Sequence, residues 1–370
     1  MSISPSAEKK TAALATAPLY SPYRLGSIIL KNRIVMAPMT RSRATAEQVP
    51  MPIMAEYYSK RASAGLIISE GTGPSQDGTG YPRIPGLWND EQVEAWKTVT
   101  AAVHAKGGVI FVQIMHTGRE SHLANMAPGS EIVAPSAIAG EGQIHTDRLG
   151  MVPKPMPRAL SLEEIAKVRA EHVSAAVNAI AAGFDGVELH AANGYLLEQF
   201  LNPASNQRTD AYGGTLENRN RYVIEVADAV AKAIGGDRVG IRLSPYGTNN
   251  GMTPFPEIDG QYLKLLARLA ETGIEYIHLV DHSAMGAPPV PTALKEAMSK
   301  QWPHTFIASG GFDLEQANET LAAGRADLIA FGRPFLANPD LVERLARGIP
   351  LTAPDPSTFF TPGPNGYTDL

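Results

Sequence analysis

One alternation constrains this chain more than any other feature. Short apolar runs recur along its 370 residues, each bounded by turn residues and followed by a helical pattern. Eight read as strands: Arg33–Ala37, Leu66–Glu70, Val109–Gln113, Gly186–His190, Val239–Leu243, Tyr276–Val280, Thr305–Ala308 and Leu328–Gly332. Unbroken apolar runs such as Leu66-Ile67-Ile68 are expected of parallel strands covered on both faces. The intervening segments are amphipathic. Ser161-Leu162-Glu163-Glu164 is a capping-box pattern; Ile165, Val168, Val173, Ala176, Val177 and Ile180 then fall near one helical face, and Gly183 ends the helix. Similar helices are expected over Glu91–Ala105, Leu216–Ala233, Gln261–Thr272, Leu314–Ala323 and Asp340–Arg347.

Eight strands alternating with helices imply an α/β protein built as a single (β/α)8 TIM barrel, which accommodates this length as one domain. The barrel domain is expected over residues 19–370, after a flexible N-terminal tail over residues 1–18. Leu19–Leu30 is expected to form an N-terminal β-hairpin lid that plugs the barrel bottom. Ser121–Pro157, rich in Pro, Gly and Met, reads as a long loop after strand three, over the active-site face. Pro354–Leu370 is again loop-like.

Composition narrows the function. With no cysteine, disulfide frameworks, zinc ribbons, iron–sulfur clusters and thiol nucleophiles are excluded. The net charge of −5 argues against nucleic acid as a partner. No apolar run reaches the roughly 18 residues a spanning helix needs, so no membrane is expected. Lys9-Lys10 precede an Ala-rich stretch to Pro18, which is too short and too weakly apolar for a signal peptide, so the cytoplasm is the expected location.

In such a barrel the active site lies at the C-terminal ends of the strands. The residues there are unusually chemical. Strand one runs into Pro38-Met39-Thr40-Arg41, strand three ends at Gln113 followed by Met115 and His116, and strand four runs through His190, Asn193, Gly194 and Tyr195. Strand five carries Arg242, strand seven ends at Gly310-Gly311 and strand eight at Gly332-Arg333. Backbone N–H groups at Gly310 and Gly311, with the Arg333 guanidinium, form the pattern of a phosphate site. The plain alternative is two ordinary turns and a surface arginine. His190 and Asn193 sit three apart, so a helical turn aims both at one point, where two donors stabilise charge on a carbonyl oxygen. Tyr195 is placed to deliver a proton. Their plain alternatives are a core histidine, a capping asparagine and a wall aromatic. Arg242, inside an apolar strand, needs an anion or strong acceptor: an ion-pair partner or a cofactor that becomes anionic when reduced.

These residues resemble the Old Yellow Enzyme family of FMN-dependent ene-reductases. The resemblance runs from about Leu19 to Asp369. It rests on Lys31-Asn32-Arg33, Ala37-Pro38-Met39-Thr40-Arg41, Ala62-Ser63-Ala64-Gly65-Leu66, Gln113, His116-Thr117-Gly118-Arg119 and above all Gly183 to Leu196. It continues through Asn206, Arg208, Asp210, Tyr212-Gly213-Gly214, Glu217-Asn218-Arg219, Phe331-Gly332-Arg333-Pro334-Phe335 and Gly366-Tyr367-Thr368-Asp369. The resemblance implies FMN as cofactor and NADPH or NADH as hydride donor. Thr40 would bond the flavin O4, Pro38 and Met39 would pack under the ring, and Gln113 would bind the pyrimidine edge. Arg242 would lie near N1, Gly310, Gly311, Gly332 and Arg333 would hold the phosphate, and Gly71 joins the cofactor set. His190 and Asn193 would grip the carbonyl of a small-molecule activated alkene. Hydride would pass from flavin N5 to its β-carbon and Tyr195 would protonate the α-carbon. Tyr81, Met115, Tyr246 and Phe360 are the expected substrate contacts.

Two of these depart from the family pattern. Met115 stands where many relatives have tryptophan, and Phe360 replaces a substrate-facing tyrosine. Within that resemblance, Thr40 and the missing cysteines imply a single-domain, threonine-type branch, and a monomer or homodimer is expected. Two rivals remain. A metal-dependent barrel hydrolase could draw on His116, His190, His278, His282 and Asp281, but Ala-Pro-Met-Thr stands where a His pair should leave strand one. A non-catalytic phosphate-binding barrel would leave His190, Asn193 and Tyr195 unused. A Rossmann site is disfavoured because Gly71-Thr72-Gly73 is followed by Pro74-Ser75-Gln76.

Overall fold

A computed structural model describes residues 17–370, so nearly all of the expected tail lies outside the described residues. The chain enters through the hairpin of β1 (Tyr23–Leu25) and β2 (Ile28–Leu30). Eight parallel strands then close a barrel: β3 (Ile34–Met36), β4 (Leu66–Thr72), β5 (Ile110–Ile114), β10 (Gly186–Ala191), β11 (Val239–Leu243), β12 (Tyr276–Val280), β13 (Thr305–Ser309) and β14 (Leu328–Phe331). All eight coincide with the runs read from the sequence; Val239–Leu243 and Tyr276–Val280 match at both ends, and no end of the others differs by more than two residues. Their residues are buried almost throughout, which is why these runs are apolar without alternation.

The hairpin sits at the N-terminal end of the barrel. Tyr23 bonds Thr305, the first residue of β13, through their hydroxyls at 3.0 Å, and Ser27 donates to Asp237 just ahead of β11. Gly26 at the hairpin turn has φ 54°, and a Cβ there would lie 2.8 Å from the Asp237 carbonyl oxygen, so the close approach needs glycine. Leu25 and Leu30 pack with Val35, Phe111, Tyr276 and Ile307 into the lower barrel core. Truncating a residue such as Phe111 to Ala there would cost about 3–5 kcal/mol. A larger cluster lies between barrel and helices.

The helix at Leu162–Ala181 carries the expected capping box between Ser161 and Glu164. Four helices were not legible: Pro52–Lys60, Leu196–Leu201, Thr292–Gln301 and Arg333–Ala337. The first starts on a proline, which a first helical turn tolerates. Thr292–Gln301 buries only Leu294 and Met298, too few to print a stripe. Ser121–Pro157 is not a bare loop. β7 (Gln143–Thr146) and β8 (Gly150–Pro153) form an antiparallel hairpin, while β6 (Val133–Ala134) pairs in parallel with β9 (Arg158–Ala159). Loop composition hid strands this short.

The C-terminal tail has one short 3₁₀ turn, Pro356–Thr358, yet it is firmly moored. Arg43 donates to the carbonyls of Thr358, Phe359 and Asn365, and Arg41 to those of Phe359 and Gly366. Tyr367 stacks flat on Tyr57 at 4.0 Å. This brings Phe359 and Phe360 over the C-terminal mouth. Among the described residues no helix is long and apolar enough to cross a membrane.

Candidate active site

A cavity of about 490 Å³ opens at the C-terminal ends of the barrel strands. The turn after β3 lends it Pro38, Met39 and Thr40, and the end of β5 lends Gln113 and Met115. His190, Asn193 and Tyr195 enter from β10, and Arg242 from β11. The loops after β13 and β14 bring Gly310, Gly311, Gly332 and Arg333, and the tail brings Phe360.

Register explains part of this convergence. His190 pairs with Arg242 and Arg242 with His278, one row across three parallel strands. Beneath them Glu188 acts as a hub. It accepts from the Gln113 amide at 2.8 Å and from the Tyr276 hydroxyl at 3.2 Å, and it meets His278 Nδ1 at 2.8 Å. One N–H of the Gln113 amide is thereby fixed. The other N–H and the carbonyl oxygen remain for the cavity.

Arg242 is buried, and its Nε has no hydrogen-bond partner among the described residues. Burial lowers its pKa and the Glu188 carboxylate opposes that shift. A guanidinium keeps its charge under such a shift, so a buried cation with an unpartnered donor lines the cavity.

His190 is 3 % exposed, and its Nδ1 also lacks a partner among the described residues. Burial, then the nearby Arg242, His278 and His282, holds its pKa well below the usual imidazole range. It is therefore neutral at pH 7 and offers one N–H. Asn193 sits in the left-handed region at φ 61°. Its N–H donates to Ser244 Oγ at 2.9 Å, and that hydroxyl donates to Glu198 at 2.7 Å. Glu198 also accepts from the Gly194 N–H and from Tyr262. These bonds pin the turn that carries Asn193.

The Tyr195 ring stands edge-on to His190, with centroids 4.9 Å apart. Its hydroxyl donates to that of Tyr81 at 3.4 Å. Burial raises the pKa of Tyr195, so the phenol holds its proton at neutral pH.

Gly311 has φ 83°, and a Cβ there would lie 2.8 Å from the Ala284 methyl group. With the exposed Arg333 across the rim, this end offers backbone N–H groups and a guanidinium at the site expected for phosphate.

Three expected residues do not line this cavity, and of these Tyr81 lies beside it, within reach of the Tyr195 hydroxyl. Tyr246, at φ 64°, turns its hydroxyl to Asp259 at 2.9 Å and does not line the cavity. The left-handed turn after β11 carries it outward, which residue type alone could not reveal. Gly71 lies at the irregularity between β4 and β5, where a Cβ would meet the Met115 sulfur at 2.5 Å. It makes room for Met115 rather than lining the cavity itself. Conversely, sequence reasoning assigned no role to Glu188, Glu198 or Ser244. His282 entered only as an imagined metal ligand, and the described residues contain no cluster of three or more such groups placed to hold a metal ion.

The residues present fit FMN. A buried cation with a free donor, a fixed amide, apolar Pro38 and Met39, and a glycine-lined rim with Arg333 match a ring at one end and a phosphate at the other.

Known proteins point the same way. Residues 18–352 match the model of the "NADH:flavin oxidoreductase / NADH oxidase family". The chain is 44% identical over 366 residues to 12-oxophytodienoate reductase 2 of Arabidopsis thaliana, covering 96% of each chain. It is 45% identical over 372 residues to the putative 12-oxophytodienoate reductase 3 of Oryza sativa subsp. japonica, covering 98% of this chain and 94% of that one. Among solved structures, morphinone reductase in complex with tetrahydroNAD superposes with a TM-score of 0.89 at 44% identity, covering 95% of this chain and 96% of the other. The old yellow enzyme homologue from Zymomonas mobilis gives 0.90 at 42%, covering 95% and 98%. The chain thus belongs to the NADH:flavin oxidoreductase / NADH oxidase family, the Old Yellow Enzymes, and is an FMN-dependent oxidoreductase that acts on activated C=C bonds with a nicotinamide hydride donor.

Proposed function

We propose that this chain reduces the C=C bond of α,β-unsaturated aldehydes, ketones and imides and of nitroalkenes. When bound, FMN supplies the hydride, received from NADH or NADPH, that adds to the β-carbon. The protein's own residues do the rest. His190 and Asn193 donate to the carbonyl or nitro oxygen and hold the charge that builds there. Because His190 is neutral, it polarises that oxygen without having to give up its proton. Tyr195 delivers a proton to the α-carbon from its buried, protonated phenol. Arg242 offers its guanidinium to the electron-rich edge of the cofactor. Gln113, fixed by Glu188, orients the ring, and Gly310, Gly311, Gly332 and Arg333 hold the phosphate. Met115 and Phe360 shape the substrate side, where a flexible thioether and a phenyl ring leave the orientation of bulky alkenes to be set by other walls.

The observation that carries this reading is the meeting of His190, Asn193 and Tyr195 in the same cavity as the buried Arg242 cation. The test is product analysis under anaerobic conditions. Purified enzyme with NADPH or NADH and cyclohex-2-enone should yield cyclohexanone in equal amount to the nicotinamide oxidised. Nicotinamide oxidation that needs oxygen, with no saturated product, would overturn it.

A further inference from the structure

A second chamber of about 750 Å³ adjoins the reaction cavity and shares Thr40, Tyr195 and Phe360 with it. Its outer walls come from segments added to the barrel. The β7–β8 hairpin gives Ile144 and Met151, and the C-terminal tail gives Pro356 and Pro362. Met151 and Phe360 are 56% and 58% exposed there, large apolar side chains that nothing among the described residues covers. The cations on the wall are already matched. Arg83 is paired with Asp147, and Lys154 with the buried Glu120. A charged occupant would have to displace a carboxylate from one of them, whereas an apolar one need only cover Met151, Phe360 and the prolines.

We propose that this chamber is a substrate subsite for a long, uncharged apolar chain attached to the activated alkene whose reacting end lies at His190, Asn193 and Tyr195. The inference rests on the ene-reductase reading and narrows it. Tyr195 and Tyr81 stand at the junction, so a substrate bridging both chambers threads past the proton donor. Burying each added methylene should raise kcat/KM about two- to fourfold until the chamber is filled.

The experiment measures kcat/KM for two series of cyclohex-2-enones. One bears n-butyl to n-decyl on the α-carbon and the other bears the same chains on the β-carbon, with cyclohex-2-enone as the common reference. At least one series should climb, and an ω-carboxylate on the longest chain should erase the gain. Met151→Trp, and independently Pro362→Trp, should lower kcat/KM for the long-chain substrate tenfold or more while moving cyclohex-2-enone by less than twofold. Flat behaviour in both series overturns the subsite. So does a carboxylate-tailed substrate that gains as much as the neutral one. The subsite also falls if both tryptophan variants spare the long-chain enone but slow cofactor reduction by NADPH or NADH, which would assign the chamber to the dinucleotide. No turnover of any enone, cyclohex-2-enone included, instead overturns the ene-reductase reading itself.

Discussion

Nε2 of His282 lies 2.6 Å from Oδ1 of Asn193. Burial, aided by the Arg242 charge, pushes the His282 imidazole down to about 4, so it is neutral across the physiological range. With Nε2–H as donor, the bond occupies the amide oxygen and turns the Asn193 NH2 group toward the cavity. In the proposed mechanism Asn193 meets the substrate as a donor because His282 holds its other end.

The consequence is measurable by titration with a phenol, whose oxygen mimics the substrate carbonyl over the flavin. His282→Ala should weaken phenol binding about 10- to 100-fold, the cost of an unsatisfied buried group. FMN content should stay the same, and His282→Gln, which restores a donor, should recover most of the loss. Unchanged phenol affinity in the alanine variant would show that Asn193 orients itself.

Glu198 ties the same turn to pH. Burial pushes its carboxyl up from 4.5 to about 7. The folded state therefore holds this proton more tightly than the unfolded chain does. Stability from this group is full below about pH 4.5 and declines as pH rises through about 7, by an amount on the order of 3 kcal/mol. Chemical denaturation between pH 5 and 8 should show that decline, and Glu198→Gln should flatten it. The slope should not vanish, because burial pushes Glu70 to about 7 as well. An identical slope in the variant would mean Glu198 is ionised and unstrained in the fold.

Arg242 should govern cofactor retention. Arg242→Ala removes the cation beside Glu188 and leaves the hub with its charge uncompensated. Protein purified from this variant should be colourless or nearly so. Arg242→Lys should keep part of the FMN with a lowered reduction potential, since an ammonium supplies charge without the planar fork. Full FMN content and an unchanged potential in the lysine variant would contradict contact between Arg242 and the ring.

Much of the fold was legible, because each barrel strand is covered on both faces and prints an unbroken apolar run. The candidate site was legible where its residues sit at a strand end, as with His190, Asn193, Tyr195 and Gly310–Gly311, which the fold gathers around one cavity. It was not legible where a residue works through another. Glu188, inside β10, matters only because register sets it beside Gln113 on one strand and His278 beyond another. Glu198 and Ser244 become partners across 46 residues of chain. Tyr246 shows the reverse error: a tyrosine just past a barrel strand looks like a substrate contact until its φ of 64° sends the hydroxyl to Asp259. The tail looked loose because its order is imposed from outside by Arg41, Arg43 and Tyr57.

The most direct test of the account separates the two half-reactions in Tyr195→Phe by anaerobic stopped-flow. Reduction of bound FMN by NADPH or NADH should proceed within about twofold of the wild-type rate. Reoxidation by cyclohex-2-enone should slow by about 10²- to 10⁴-fold, the range for losing a positioned acid. Equal rates in the second half-reaction, or an equal loss in both, would contradict Tyr195 as the proton donor.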